Sequence, residues 1–394
     1  KRIYNLKYIM VRLKKYITKR GFLPEATPLR VVQNKTTSTD IISNVAAELP
    51  KLLLTNQIRP TIDKIKTLDL HLDDHSLEEQ ELLFAQLSFI AHAYVWGDLK
   101  PVQNLPHNIS TPWVKLSEKF KRPPILSYAS YCLHNWNKIN ESEDISLDNV
   151  ALINNFLGGI DEDWFVTIHV CIEDAASPAI SSVAKIVDDE LWNDETLLAE
   201  ELQKIKKSMV KVNEIFRLMP EKCDPYIYYH RVRPYIFGWK NNPDLPEGLI
   251  YDGFFQDKPQ LFRGETGAQS SIIPSLDALF NVRHEKDELR DYLDEMKIYM
   301  PNNHRNFIRT VEEESKVVDA ALTSSKINSL INECLEEMAS FRTQHLQYAA
   351  DYIHQQNVKN TLFGTGGSTV RGTGGTPFMK YLKKHRDETQ KSKR

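Results

Sequence analysis

Apolar residues recur along this chain in steps of three and four, the spacing of one helix face. Ser76 and Glu79 form a capping-box pattern ahead of Leu82, Leu83, Leu87, Ile90, Ala91, Tyr94 and Val95, and Gly97 is placed to end that helix. Pro123-Pro124 precedes Ile125, Tyr128, Ala129, Cys132 and Trp136, a second single-faced pattern. Asp161 is positioned to cap a helix carrying Phe165, Ile168, Ile172, Ala176 and Ile180, with Pro178 expected to kink it. Asp194 opens a long amphipathic stretch through Leu198, Leu202, Ile205, Met209, Val212 and Phe216, ended by Pro220, and Asp224-Pro225 starts another helix. From Gly238 to Pro274 the period fails, and glycines and prolines mark a long loop of the kind that usually serves function. Helical spacing returns at Leu276 and from Ile327 to Ile353. Alternating strand patterns are scarce, so the pattern predicts an all-α protein. The change of texture at Glu141–Val150 divides it into a smaller N-terminal helical domain, residues 1–150, and a larger one, residues 151–394.

Composition narrows the class. The 394 residues, 41% of them apolar, suffice for a sizeable core in two or three domains and exclude a disordered chain. No apolar run approaches the ~18 residues of a spanning helix, so stable membrane insertion is not expected. Fifty basic against 53 acidic residues leave a net charge of −3, which argues against a general nucleic-acid binder. Four scattered cysteines, Cys132, Cys171, Cys223 and Cys334, form neither a zinc ribbon nor a disulfide framework and suit a reducing cytoplasm. Charge is uneven, with residues 1–20 basic and free of acids; they read as a solvated amphipathic helix, and Lys380–Arg394 as a frayed basic tail.

The chemistry centres on histidine. His345 falls on the apolar stripe Ile331, Cys334, Leu335, Met338, Phe341, Tyr348 and Tyr352. There it is either a core histidine bonded to neighbours or a metal or haem ligand facing a cavity. Arg342, one turn earlier, either meets a haem propionate or snorkels to solvent. His169 lies one turn after Phe165, and Glu173 four residues on makes a His–Glu pair available along that helix. Arg231 and Arg233 stand in the aromatic string Tyr226, Tyr228, Tyr229, Tyr235, Phe237 and Trp239, where an arginine can grip a carboxylate or simply stack. Gly364-Thr365-Gly366-Gly367, echoed at Gly372-Thr373-Gly374-Gly375, lacks the lysine of a phosphate loop and suits a lid over a pocket or a linker. His71 and His75 lack the glutamate of a zinc-protease helix, and no nucleophile-elbow motif occurs.

Seven strings in order carry a resemblance. They are Ala93-Tyr94-Val95-Trp96-Gly97, Pro123-Pro124-Ile125-Leu126-Ser127-Tyr128-Ala129, Gly238-Trp239-Lys240-Asn241-Asn242-Pro243 and Ala268-Gln269-Ser270-Ser271. After them come Tyr299-Met300-Pro301 with His304-Arg305-Asn306-Phe307, Phe341-Arg342 before His345, and Gly372-Thr373-Gly374-Gly375-Thr376. Together they resemble the indoleamine 2,3-dioxygenase family. The resemblance implies haem b, one per chain, held between helices of the large domain with the small domain covering the distal side. O2 is the co-substrate, and L-tryptophan or a related indoleamine is opened at C2–C3 to N-formylkynurenine, the first step of the kynurenine pathway. It implies His345 as the proximal iron ligand, Arg342 with Asp277 as a charged pair at the propionate edge, and Gly267 and Ala268 as the small-residue wall above the haem. Arg233 then holds the substrate carboxylate, Tyr128 and Phe165 wrap the indole, and Thr373, in a lid spanning 364–376, lies near the ammonium. His169 departs from the serine of mammalian members and is similar to the distal histidine of tryptophan 2,3-dioxygenases. Tyr228 and Tyr229 replace a phenylalanine pair and add two hydroxyls to the substrate side. A monomer or weak oligomer is expected. The alternatives are a haem protein of the same scaffold acting on another tryptophan derivative, and a haem sensor without turnover.

Overall fold

The structure, a computed structural model, describes residues 13–283, 285–356 and 378–393. Helices carry the fold. Strand pairing among the described residues is limited to Asn104–Leu105 with Ile250–Tyr251, parallel, and Trp136–Lys138 with Val150–Leu152, antiparallel. The all-α expectation holds.

The first long helix, Leu77–Trp96, begins with the expected capping box: the Ser76 hydroxyl accepts from the Glu79 N–H, and the Glu79 carboxylate accepts from the Ser76 N–H at 2.9 Å. It is buried on nearly every side, and His92 sits fully inside. A buried imidazole must satisfy both nitrogens. Nδ1 donates to the Tyr235 carbonyl at 2.7 Å and Nε2 accepts from the Leu126 N–H at 3.0 Å, which ties three segments together.

Ile160–Asp188 forms a 29-residue helix that runs through Pro178, which lies on its exposed side. Its cap is Gly159, at φ 103°, rather than Asp161. Asp161 instead sits in the first turn and accepts from the Asp224 N–H at 2.7 Å. The adjoining Glu162 carboxylate collects the N–H groups of Phe156, Leu157 and Gly158, satisfying the turn that leads into the helix. Glu195–Arg217 starts at Asp194, whose side chain accepts from the N–H groups of Thr196 and Leu197. Pro220 opens a further short helix, Met219–Lys222, rather than only ending this one. Ser325–Ala349, the helix of His345, is capped by Ser324 and passes into a π turn at Ala350–His354.

Three further expectations are corrected. The spacing after Pro123-Pro124 gives one π turn, Ala129–Leu133, and then the strand Trp136–Lys138, not a helix. Residues 125–133 are all buried, so the apolar run has no solvent face to fix its period. The Asn135 carboxamide bonds the backbone of Asn154 and draws the chain into pairing. Residues 13–20 form a 3-10 turn at Lys14–Tyr16 rather than a solvated helix, with Leu13 buried and its N–H on the Asp188 carboxylate at 3.0 Å. Residues 1–12 lie outside the described part. The basic tail is not frayed, because Phe378–Lys391 is helical and buries Thr389 against the His345 helix.

Buried apolar residues gather in two clusters. One holds residues from Leu23 to Val170 with Ile236–Tyr251 and Tyr292–Tyr299; the other runs from Leu13 through Trp164 and Ile168 to Tyr352. The Ile160–Asp188 helix serves both. Val166 and Val170 belong to the first cluster, Trp164, Ile168 and Ile172 to the second, and Phe165 touches each. No helix among the described residues is long and apolar enough to cross a membrane. All four cysteines are free and buried.

Candidate active site

Where the clusters meet, the structure holds a cavity of about 840 Å³, within the range of small-molecule and cofactor sites. Phe165 and His169 reach it from the Ile160–Asp188 helix, Phe341, Arg342 and His345 from the Ser325–Ala349 helix. Tyr128 and Tyr228 line it from π turns or their edge, and Glu265–Ala268 and Ser270 from the long loop.

That loop is seated by two glycines. A Cβ on Gly238 would lie 2.0 Å from the Gly264 nitrogen, and one on Gly264 would lie 2.3 Å from the Gly238 nitrogen, so the backbones touch only because both side chains are missing. The Glu265 N–H then donates to the Ile236 carbonyl at 3.1 Å. Beyond it Gly267 has nothing within 4 Å of where a Cβ would stand among the described residues, so it faces open space there.

His345 and His169 are held differently. The His345 ring lies edge-on to Phe216, at 6.2 Å between centroids, and tilted to Phe341, at 6.5 Å, and neither nitrogen has a hydrogen-bond partner among the described residues. Burial, with His169 nearby, pushes its pKa down to about 4, so the ring is neutral and offers a lone pair. His169 Nδ1 lies 2.7 Å from the Phe165 carbonyl. A carbonyl only accepts, so Nδ1 carries the proton and Nε2 is the acceptor. Burial lowers the His169 pKa as well. Its ring packs on Phe165 at 4.5 Å and against Tyr128 edge-on at 5.9 Å.

Arg342 and Asp277 form the ion pair the sequence reading expected, at 2.6 Å, and both line the cavity. Arg342 also donates to the Thr389 hydroxyl, a partner from the C-terminal helix that no spacing announced. Tyr128, Phe165, Tyr228, Gly267 and Ala268 line the cavity with the two histidines. Two expected site residues do not. Arg233 is buried with its guanidinium over the rings of Tyr229 and Phe237, at 5.1 and 5.0 Å, and Tyr229 stays in that stack. Arg233 does come close enough to the cavity-lining Tyr228 phenol for its charge to favour the phenolate, against a larger effect of burial. Thr373 and the segment 364–376 lie outside the described residues.

Glu173 is not paired with His169. Its Oε1 accepts from the Tyr128 hydroxyl at 2.9 Å and the Ser270 hydroxyl at 2.8 Å. Helix spacing finds neighbours on one helix only, and both partners come from elsewhere. Glu265 was also missed: it lines the cavity, and burial pushes its pKa up to about 8.

The family model described as indoleamine 2,3-dioxygenase matches residues 12–392. The chain belongs to the indoleamine 2,3-dioxygenase family. It is 36% identical over 360 residues to indoleamine 2,3-dioxygenase 1 of Rattus norvegicus, covering 88% of each chain. With indoleamine 2,3-dioxygenase 2 of Homo sapiens it shares 31% identity over the same fractions. It is 29% identical to the indoleamine 2,3-dioxygenase of Saccharomyces cerevisiae, over 94% of this chain and 90% of that one. Membership makes the protein an oxidoreductase of the dioxygenase class.

Proposed function

We propose that the protein is a haem b dioxygenase that opens the indole C2–C3 bond of L-tryptophan, or of another indoleamine, both oxygen atoms of O2 entering the product. From tryptophan the product is N-formylkynurenine. The observation that carries the reading is that one cavity gathers a neutral imidazole with no hydrogen-bond partner among the described residues and a wall of aromatic rings bearing a second imidazole.

The residues fit haem. His345 keeps its lone pair for iron, the open face at Gly267 leaves room for a flat macrocycle, and Arg342, braced by Asp277, is a cation for a propionate. Bound there, haem supplies the O2 chemistry. The chain supplies orientation. Phe165 and Tyr128 stack the indole, and His169 Nε2 accepts its N–H. Arg233 takes the substrate carboxylate by turning its guanidinium off the Tyr229 and Phe237 rings toward Tyr228, whose side chain lines the cavity, and Thr373 of the 364–376 segment takes the ammonium. The two domains, residues 1–150 and 151–394, enclose the cavity, and the aromatic rings of Tyr128, Phe165 and Tyr228 shield its indole side from water.

The test is conversion of L-tryptophan by the purified, haem-loaded protein under isotopically labelled O2, read by mass spectrometry. Formylkynurenine carrying two labelled oxygens is expected. A product with one label or none, or no conversion, overturns the reading. In parallel, His345→Ala is expected to lose the Soret band, and a retained band removes His345 from the role of iron ligand.

A further inference from the structure

Glu173 is buried to 1% exposure on the helix that carries Phe165 and His169, yet it does not line the cavity. Its two hydroxyl partners do. Tyr128 comes from the segment after Pro123-Pro124 and Ser270 from the long loop, and both donate to the same oxygen, Oε1, so the two hydroxyls lie side by side. A second bond joins the same segments: the Tyr128 N–H donates to Gln269 Oε1 at 2.9 Å, while Gln269 Nε2 donates to the Gly264 carbonyl at 2.9 Å. Glu173 Oε2 has no hydrogen-bond partner among the described residues. Holding two hydroxyls by one oxygen while the other goes unused is a costly way to stabilise a fold, since burial pushes this carboxyl up to about 7 even against the lowering effect of the Ser270 and Tyr128 hydroxyl bonds. The arrangement therefore makes more sense as control of where two wall residues stand.

We propose that Glu173 is a positioning residue that closes the seam between the Tyr128 segment and the Gly267–Ser270 wall, and thereby limits the size of the indole ring the cavity admits. The inference rests on the proposed substrate class. Tyr128 is fixed through its hydroxyl, so its ring is held against the edge of His169, at 5.9 Å between centroids. Releasing the hydroxyl lets the ring and the loop separate, which weakens the fit to indole and tolerates a larger ring.

The experiment measures equilibrium binding of L-tryptophan and of bulkier 5-methyl-L-tryptophan to the haem-loaded protein, by the change in haem absorption, with kcat and KM alongside. Glu173→Ala is expected to weaken L-tryptophan binding about tenfold, to raise KM more than it lowers kcat, and to bring the two Kd values closer together. Glu173→Gln, which keeps an oxygen acceptor, restores most of the discrimination. Tyr128→Phe and Ser270→Ala each remove one donor and shift the Kd ratio in the same direction, and Glu173→Ala combined with Tyr128→Phe adds little to either alone. A Glu173→Ala protein with a lower Tm but an unchanged Kd ratio overturns the proposal. If that variant does not fold, unchanged ratios in both Tyr128→Phe and Ser270→Ala overturn it equally. Binding of both amino acids by the wild type without cleavage defeats the proposed reaction and leaves the seam to be judged on the Kd ratios. Binding of neither defeats both.

Discussion

Two imidazoles share this cavity, and their surroundings give them different chemistry. His345 is packed by rings and bonded to nothing described; His169 is pinned through Nδ1 to the Phe165 carbonyl and presents Nε2. Position on a helix face was legible for both from spacing alone. Tautomer was not, because it depends on which atom lies 2.7 Å away. His169→Ala is expected to raise KM several-fold for substrates with a free indole N–H, about the value of one hydrogen bond in a dry site. N-methyl analogues are expected to change little, and steady-state kinetics on both checks this. Equal losses mean that His169 only packs. Arg233 makes a harder demand, since its guanidinium rests on Tyr229 and Phe237. Arg233→Ala is expected to raise KM for tryptophan at least tenfold, as for loss of a charge-assisted contact, with a smaller effect on an indole lacking the carboxylate. Similar effects on both substrates would leave Arg233 as a stacking residue.

Elements that carry their own punctuation formed where the sequence placed them. Ser76 with Glu79, Asp194 and Asp224 each bond the N–H groups that a helix start leaves open. The Pro123-Pro124 segment has no such signal and is buried throughout, so apolar spacing there could not separate a helix from a π turn and a strand. The long loop was legible as a loop, but its shape comes from Gly238 meeting Gly264 across the fold. Gly264→Ala is therefore expected to cost about 3 kcal/mol or more, since backbone has to move. Gly267→Ala, with open space before it, is expected to stay within about 0.5 kcal/mol of wild type while weakening haem or substrate binding. Urea unfolding of the apo-proteins, with haem titration, distinguishes them. A well-tolerated Gly264→Ala would show that the contact is not close.

Across the molecule, buried titratable groups set the dependence of stability on pH. Burial lowers the pKa values of His92, to about 3, of His345, to about 4, and of His134, His169 and His304. In the unfolded chain these imidazoles bind protons as pH falls through 6.5 while the folded protein does not, so they remove stability below that pH. Burial raises Glu162 and Glu173 to about 7 and Glu265 to about 8, so the folded protein binds those protons first and gains stability as pH falls from 8. The apo-protein is therefore expected to be most stable near pH 6.5, losing stability toward both acid and alkali, and denaturant midpoints from pH 5 to 9 check it. His92→Gln is expected to flatten the acid limb; a limb as steep as wild type would remove His92 from this account. The sequence by itself determined the helical class, the helix starts at Ser76, Asp194 and Asp224, and the family, because periodicity, caps and ordered motifs are local. Only tertiary structure decided which residues meet in the cavity. It brought Tyr128 and Ser270 to one oxygen of Glu173, set Arg342 between Asp277 and the C-terminal helix, and left Arg233 in an aromatic stack. Those outcomes depend on how distant segments share buried space, and one-dimensional spacing carries no record of it.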